Sequence, residues 1–217
     1  LSDNAQSKYI NTKETLVYHK GSLFFGLDSA KDEIKKKESA IIVEGEFDAL
    51  SAFKNGIKNT VAIKGTALTE NQANLLSRFT KKVVLCLDQD EAGFEATKRS
   101  LSSLEKSGMT IDIMTLSQKD PDETLRKSPV EFKKALKKSQ GVYEFLIARA
   151  LKSGSQTADE KRRITSELLP IISAIENEVV KEHYLRSLSE KINTSYDSLL
   201  KEIDKITGKV VSEPEPL

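Results

Sequence analysis

Four short apolar runs recur between residues 41 and 116, and each is separated from the next by a stretch with helical spacing. The runs are 41–43, 60–63, 83–87 and 111–116. Strands that alternate with helices are typical of βαβ units, in which parallel strands are covered by helices on both faces. The pattern therefore predicts an α/β domain built on a mainly parallel sheet.

After Asp122 the sequence shows helical patterns only. Ser128, Pro129 and Glu131 combine an N-cap, a proline at the first helical position and a capping glutamate. Helices are predicted at 129–139, 142–152, 158–176, 178–192 and 195–206, and no further strand is expected. We therefore divide the chain into a leading segment 1–38, an α/β domain 39–127, an all-α helical subdomain 128–208 and a linker or tail 209–217.

Composition excludes some classes of protein and leaves others open. The 217 residues include 34 basic and 33 acidic side chains, a net charge of +1, so only a local patch could bind nucleic acid. A single cysteine, Cys86, lies within an apolar run and is interpreted as a core thiol. The absence of any run of transmembrane length and of a signal-peptide pattern indicates a cytoplasmic protein with no membrane partner.

Acidic residues follow two of the predicted strands. Glu44 comes directly after run 41–43, and Asp88 and Asp90 follow run 83–87. In an open α/β sheet, ligands bind at the carboxyl ends of the strands. Carboxylates collected there suit a hard cation such as Mg²⁺, which also keeps waters and substrate phosphates as ligands. With two histidines and one cysteine, zinc is disfavoured.

Three further acids are weaker candidates for metal ligands. Asp48 could instead be a first-turn acid that favours the positive end of a helix. Asp120 could be the N-cap of a helix that begins at Pro121, and Asp122 follows it directly. Both interpretations stay open for these residues.

These acids lie in motifs that resemble the TOPRIM domain of primases, topoisomerases and some nucleases. Glu-Gly-x-x-Asp at 44–48, followed by Asp-x-Asp-x-Ala-Gly at 88–93, is similar to the bacterial, DnaG-type replicative primases. Other stretches agree with that family: 8–12, 19–21, 25–27, 65–69, 84–88 and 119–123. The resemblance covers most of residues 8–126, and Glu46 and Lys64 depart from the family's usual residues.

The resemblance implies roles by position. Glu44, Asp88 and Asp90 match the central catalytic and metal-binding acids, and Asp48, Asp120 and Asp122 match the accessory metal ligands. Lys8, Asn11 and Lys20 match basic or polar positions of the family's nucleotide- and nucleic-acid-binding region. Lys64 is a further candidate for a local basic patch that could bind nucleic acid. Residues 1–38 would then be the end of an amino-terminal polymerase subdomain.

The implied activity is a DNA primase catalytic core that makes short RNA primers on single-stranded DNA from ribonucleoside triphosphates. Mg²⁺ or Mn²⁺ would be the cofactor, with no zinc in this fragment. The replicative helicase would bind through a domain expected to be absent from this chain. The alternatives are another TOPRIM enzyme, a nuclease or topoisomerase, or a non-catalytic TOPRIM module that binds nucleic acid.

Overall fold

A computed structural model describes residue 15 and residues 19–63, 67–88 and 91–208. Within these ranges the centre of the fold is a five-stranded sheet with the order β2-β1-β3-β4-β5. Its strands are β1 Ala40–Val43, β2 Thr60–Ala62, β3 Lys82–Leu85, β4 Thr110–Ile113 and β5 Gln140–Gly141. The first four strands are parallel, as the alternation of strands and helices predicted.

Helices connect the strands and continue beyond them. Those that alternate with the parallel strands are α1 Leu27–Lys37, α2 Glu46–Lys54, α3 Glu70–Leu76 and α4 Glu91–Lys106. Those that follow β4 are α5 Pro121–Lys127, α6 Pro129–Lys137, α7 Val142–Leu151, α8 Ala158–Ser173, α9 Glu178–Lys191 and α10 Tyr196–Thr207. A short 3-10 helix, Lys20–Ser22, precedes α1.

Both faces of the sheet are buried, because the side chains of a strand alternate between its two faces. Ala40 and Ile42 of β1 pack into the core that contains residues of α1, α3, α4 and the helices from α7 onward. Ile41 and Val43 pack into a second core with residues of α2, α5 and α6. The result is a sheet between two helical layers, which is why the central strand β1 is an uninterrupted apolar run.

The predicted helix cap at Ser128 is confirmed, because its side chain accepts a hydrogen bond from the backbone N–H of Glu131. Thr69 and Thr157, each followed three residues later by Gln72 or Glu160, cap α3 and α8 in the same way. Helix α8 continues through Pro170. Helix α5 begins at Pro121 with Asp120 as its N-cap, as one of the two interpretations of Asp120 required.

The expectation that no strand follows Asp122 is wrong. Strand β5 pairs antiparallel with β4, with Asp112 opposite Gly141. Two residues are too few to show a periodicity in the sequence. The strand is recognisable only in the structure, from its pairing with the edge of β4. The contact joins the helical region to the sheet, and the Tyr143 hydroxyl adds a 2.7 Å hydrogen bond to Glu105 of α4. The tail 209–217 lies outside the described residues.

In the part of the chain that the structure describes, no helix is long and apolar enough to cross a membrane.

Gln72 is a buried polar side chain that ties three segments together. Its amide nitrogen donates to the carbonyl oxygens of Leu23, at 2.7 Å, and of Ile63, at 3.2 Å, and its amide oxygen accepts from the Thr69 N–H at 3.1 Å. Only 1% of its surface is exposed. It therefore links the segment before α1 with the end of β2 and the start of α3.

Replacing Gln72 with leucine should destabilise the fold, because these carbonyl groups and the Thr69 N–H would lose a buried partner. We expect a loss of about 2–4 kcal/mol in the free energy of unfolding, from more than one unsatisfied polar group. Denaturant titration measures it. Asn71→Leu, one residue away on the exposed side of α3, should cost less than about 0.5 kcal/mol, and equal losses in both variants would contradict the assignment.

Candidate metal and phosphate site at the carboxyl edge of the sheet

Glu44 and Asp88 meet at the carboxyl edge of two neighbouring strands. Glu44 follows β1 directly, and Asp88 follows β3, which pairs parallel with β1. The backbone N–H of Asp88 donates a hydrogen bond to Glu44 Oε1 at 3.1 Å. Both residues are partly exposed. The structure thus brings together two of the acids that the sequence singled out, 44 residues apart in the chain.

Gly93 lets helix α4 begin against the backbone of Asp88. A Cβ atom at this position would lie 2.2 Å from the Asp88 carbonyl oxygen, far closer than atoms can pack. Glycine is therefore required by close approach, not by an unusual φ angle. The position of Asp88 depends on this contact.

Asp48 joins helices α2 and α5 beside these acids. One carboxylate oxygen accepts from the Gly45 N–H at 3.1 Å, and the other accepts from the Asp122 N–H at 3.0 Å. The side chain is buried, with the residue 8% exposed. Asp48 is therefore a first-turn acid of α2, which is one of its two predicted interpretations. It also lies among the acids of the proposed site.

Burial raises the pKa of Asp48 from 3.8 to about 6. The hydrogen bonds from Asp122 and Gly45 oppose this rise, and the negative charges of Asp88 and Asp120 add to it. Burial, followed by the negative charges of Asp48 and Asp88, raises the pKa of the Cys86 thiol. Crowded negative charge of this kind is what a bound cation would relieve.

The metal-free protein should lose stability as the pH rises through this range. Because the pKa of Asp48 is raised in the folded state, the folded state holds this proton more tightly than the unfolded state. The protonated Asp48 therefore contributes its full stabilisation below about pH 4, and this contribution is lost as the pH rises to about 6. The loss should be of the order of 2–3 kcal/mol, from about 1.4 kcal/mol for each pKa unit. Urea unfolding in EDTA at several pH values measures it.

Asp48→Asn is the comparison that isolates this group, since other titrating residues contribute equally to both proteins. The difference in unfolding free energy between the two should change between pH 4 and 6. A constant difference would show that Asp48 ionises normally.

The other accessory acids have partners of their own. Asp120 caps α5 by accepting from the Glu123 N–H at 2.7 Å. Asp122 accepts a hydrogen bond from the Ser51 hydroxyl and forms an ion pair with Arg126 at 3.0 Å. Sequence reasoning missed Ser51 and Arg126. Arg126 follows Asp122 at the i,i+4 spacing that could have indicated it, whereas Ser51 is 71 residues away.

The predicted basic and polar residues are mostly outside the described ranges. This applies to Lys8, Asn11 and Lys64, and also to Asp90. Lys20 is described: it is partly buried in the 3-10 helix, and its carbonyl oxygen accepts from Gln72 at 3.3 Å. Its backbone is therefore held against the start of α3.

A pocket lies on the other side of Asp88, between the sheet edge and the helical region. Its lining includes Thr115, which follows β4, Phe94 of α4, and Phe145 and Arg149 of α7. Two residues of the helical region, Phe145 and Arg149, therefore line a pocket together with Asp88. No signal in the sequence indicates Arg149, because only the packing of α7 places it at this pocket.

The donor set suits a hard divalent cation. Carboxylate oxygens are the ligands that Mg²⁺ and Mn²⁺ prefer. Within the described residues no three Asp, Glu, His or Cys side chains are grouped closely enough to hold a metal ion, and Asp90 is outside that set. The chemistry of Glu44 and Asp88 fits the cation, and the described part contains two of the three central acids.

Two family models match the chain. The Toprim-like model matches residues 41–125, the region with the parallel strands and the acids. The model of the DnaB-helicase binding domain of primase matches residues 143–195, which contain α8, α9 and all but the first residue of α7. This second match contradicts the expectation that a helicase-binding domain is absent from the chain. The helical pattern of residues 128–208 predicts an all-α subdomain but does not indicate what such a subdomain binds.

Known primases are similar to most of the chain. A curated DNA primase from Aquifex aeolicus is 40% identical over 175 residues, which is 80% of this chain and 34% of that primase. The solved structure of the Aquifex aeolicus primase zinc-binding and RNA polymerase domains has a TM-score of 0.75 at 35% identity, covering 93% of this chain and 49% of that one. A DnaG primase catalytic domain bound to single-stranded DNA has a TM-score of 0.76 at 28% identity, covering 90% and 64%.

The parallel sheet with its acids at the carboxyl edge defines a TOPRIM protein. The chain spans about a third of the length of the curated primases that it matches. Within the TOPRIM class it belongs to the bacterial DnaG-type primases, as a fragment of their catalytic core.

Proposed function

We propose that this chain supplies the metal-binding part of a primase that synthesises short RNA primers on single-stranded DNA by nucleotidyl transfer. The observation that carries the proposal is the meeting of Glu44 and Asp88 at the carboxyl edge of β1 and β3, joined by the 3.1 Å hydrogen bond. Similarity to DNA primases over most of the chain supports the choice of reaction.

The acids would hold a divalent cation, Mg²⁺ or Mn²⁺. Glu44, Asp88 and Asp90 are the proposed central ligands, and Asp48, Asp120 and Asp122 the accessory ones. When bound, the cation would lower the pKa of the primer 3′-hydroxyl and offset the charge of the leaving pyrophosphate. The chain itself positions the acids: Gly93 places Asp88 against α4, and Asp48 fixes α2 to α5.

Template and nucleotides would be bound near this edge. Lys8, Asn11, Lys20 and Lys64 are the proposed contacts to phosphates and bases, since cations beside a carboxylate cluster can hold phosphate groups. The similar DnaG catalytic domain with bound single-stranded DNA supports a single-stranded template. Residues 143–195 are proposed to contribute to binding of the replicative helicase.

One assay separates this function from the alternatives. Labelled single-stranded DNA is incubated with ribonucleoside triphosphates and Mg²⁺, with and without EDTA, and the products are resolved by length. Metal-dependent appearance of RNA dinucleotides and longer products is expected. Shortened DNA would instead indicate a nuclease, and DNA binding without either product would indicate a non-catalytic module.

A further inference from the structure

The ring of Phe94 carries two cationic side chains. The guanidinium carbon of Arg149 lies 3.7 Å from the ring centroid, and Lys98 Nζ lies 4.7 Å from it. Phe94 itself is buried, with 7% of its surface exposed. Lys98 also forms an ion pair with Glu95. Arg149 thus brings a permanent positive charge, from a helix beyond the matched TOPRIM region, to the first turns of α4.

Arg149 and Asp88 line the same pocket. Leu87 and Asp88 follow β3, and Thr115 follows β4, so the pocket opens at the same sheet edge as the acids. Asp48 and Asp122 belong to α2 and α5, which cover the opposite face. Asp88 therefore has carboxylates on one side and an arginine on the other.

We propose that Arg149 binds phosphate oxygens that enter this pocket beside the metal acids, an inference that rests on the proposed function. A guanidinium stacked on an aromatic ring is held in orientation while its in-plane N–H groups can bind a phosphate in bidentate fashion. Thr115 also lines this pocket, and its hydroxyl is a further hydrogen-bond group. The phosphate could belong to the template strand or to the incoming nucleotide.

Binding measurements without turnover test the inference. Arg149→Gln and Arg149→Lys are compared with wild type for fluorescence-anisotropy binding of labelled single-stranded DNA, and, with Mg²⁺, of a labelled non-hydrolysable nucleoside triphosphate. Arg186→Gln is the matched control, because Arg186 also stacks on an aromatic ring, Tyr196 at 4.7 Å, but does not line this pocket. Thermal melting verifies that each variant is folded.

Arg149→Gln should reduce the affinity for one of the two ligands about tenfold, as expected for the loss of one charge-assisted contact. Arg186→Gln should leave the affinity for both ligands unchanged. Loss of DNA binding, with the log-affinity against log-salt slope reduced by about 0.7, assigns the template phosphate. Loss of nucleotide binding assigns the triphosphate. Arg149→Lys keeps the positive charge and provides the test if Arg149→Gln does not fold. It should bind the same ligand more weakly than wild type does, because lysine cannot form the bidentate contact of a guanidinium.

Unchanged binding of both ligands in folded Arg149 variants would overturn the inference, as would equal losses in Arg149→Gln and Arg186→Gln. These outcomes leave the proposed function intact, because the wild type still binds. Failure of the wild type to bind either ligand would overturn the proposed function and this inference with it.

Discussion

Asp88→Asn should lower nucleotidyl transfer at least about 100-fold while the free energy of unfolding stays nearly constant. The effect is large because a carboxylate ligand and its charge are lost where the metal would have to stabilise the transition state. Asparagine has nearly the same shape, and the backbone N–H that donates to Glu44 remains. Removal of one negative charge should also lower the pKa of Asp48 toward its ordinary value.

Primer synthesis and thermal melting in EDTA, measured on the same preparations, test this. Asp112→Asn is a suitable control, since Asp112 is a carboxylate of the same sheet, paired with Lys82 at 2.8 Å, and is not among the proposed site residues. It should retain most of the activity. A melting temperature that falls sharply for Asp88→Asn would show instead that Asp88 is structural.

Gly93→Ala should damage both stability and activity. The added Cβ would lie 2.2 Å from the Asp88 carbonyl oxygen, which cannot move aside without moving the backbone. Crowding of this kind costs about 1–3 kcal/mol of unfolding free energy. Because a displacement near 1 Å can reduce a rate about 100-fold, activity should fall well beyond what the stability loss explains. Chemical denaturation and primer synthesis measure the two effects.

Gly108→Ala separates crowding at the site from simple destabilisation. Gly108 lies just beyond the other end of α4 and has a φ of +63°. A Cβ added there would have no other atom within 4 Å, apart from those of its chain neighbours. The left-handed backbone should cost alanine about 1–2 kcal/mol, without any change at Asp88. If Gly93→Ala and Gly108→Ala reduced activity equally, close packing against Asp88 would not explain the effect.

Local patterns predicted the four parallel strands and their connecting helices. Apolar runs such as 41–43 and capping residues such as Thr69 carry their signal within a few residues, so no knowledge of the partner strand is needed. The bounds shifted by one to three residues, because helix ends depend on capping contacts. Strand β5 escaped prediction since it exists only through pairing with β4.

The sequence by itself determined the chemistry available to this protein: a TOPRIM arrangement of strands, with Glu44 and Asp88 after two of them. Parallel connection then forces the carboxyl ends of those strands to one edge, which is why the juxtaposition could be expected. Only the tertiary structure decided what surrounds Asp88. The contact of Asp48 with Asp122, the hydrogen bond from Ser51 to Asp122, and the pocket that Asp88 shares with Arg149 join residues far apart in the chain. Such contacts depend on how helices pack on the sheet, and no local pattern encodes that packing.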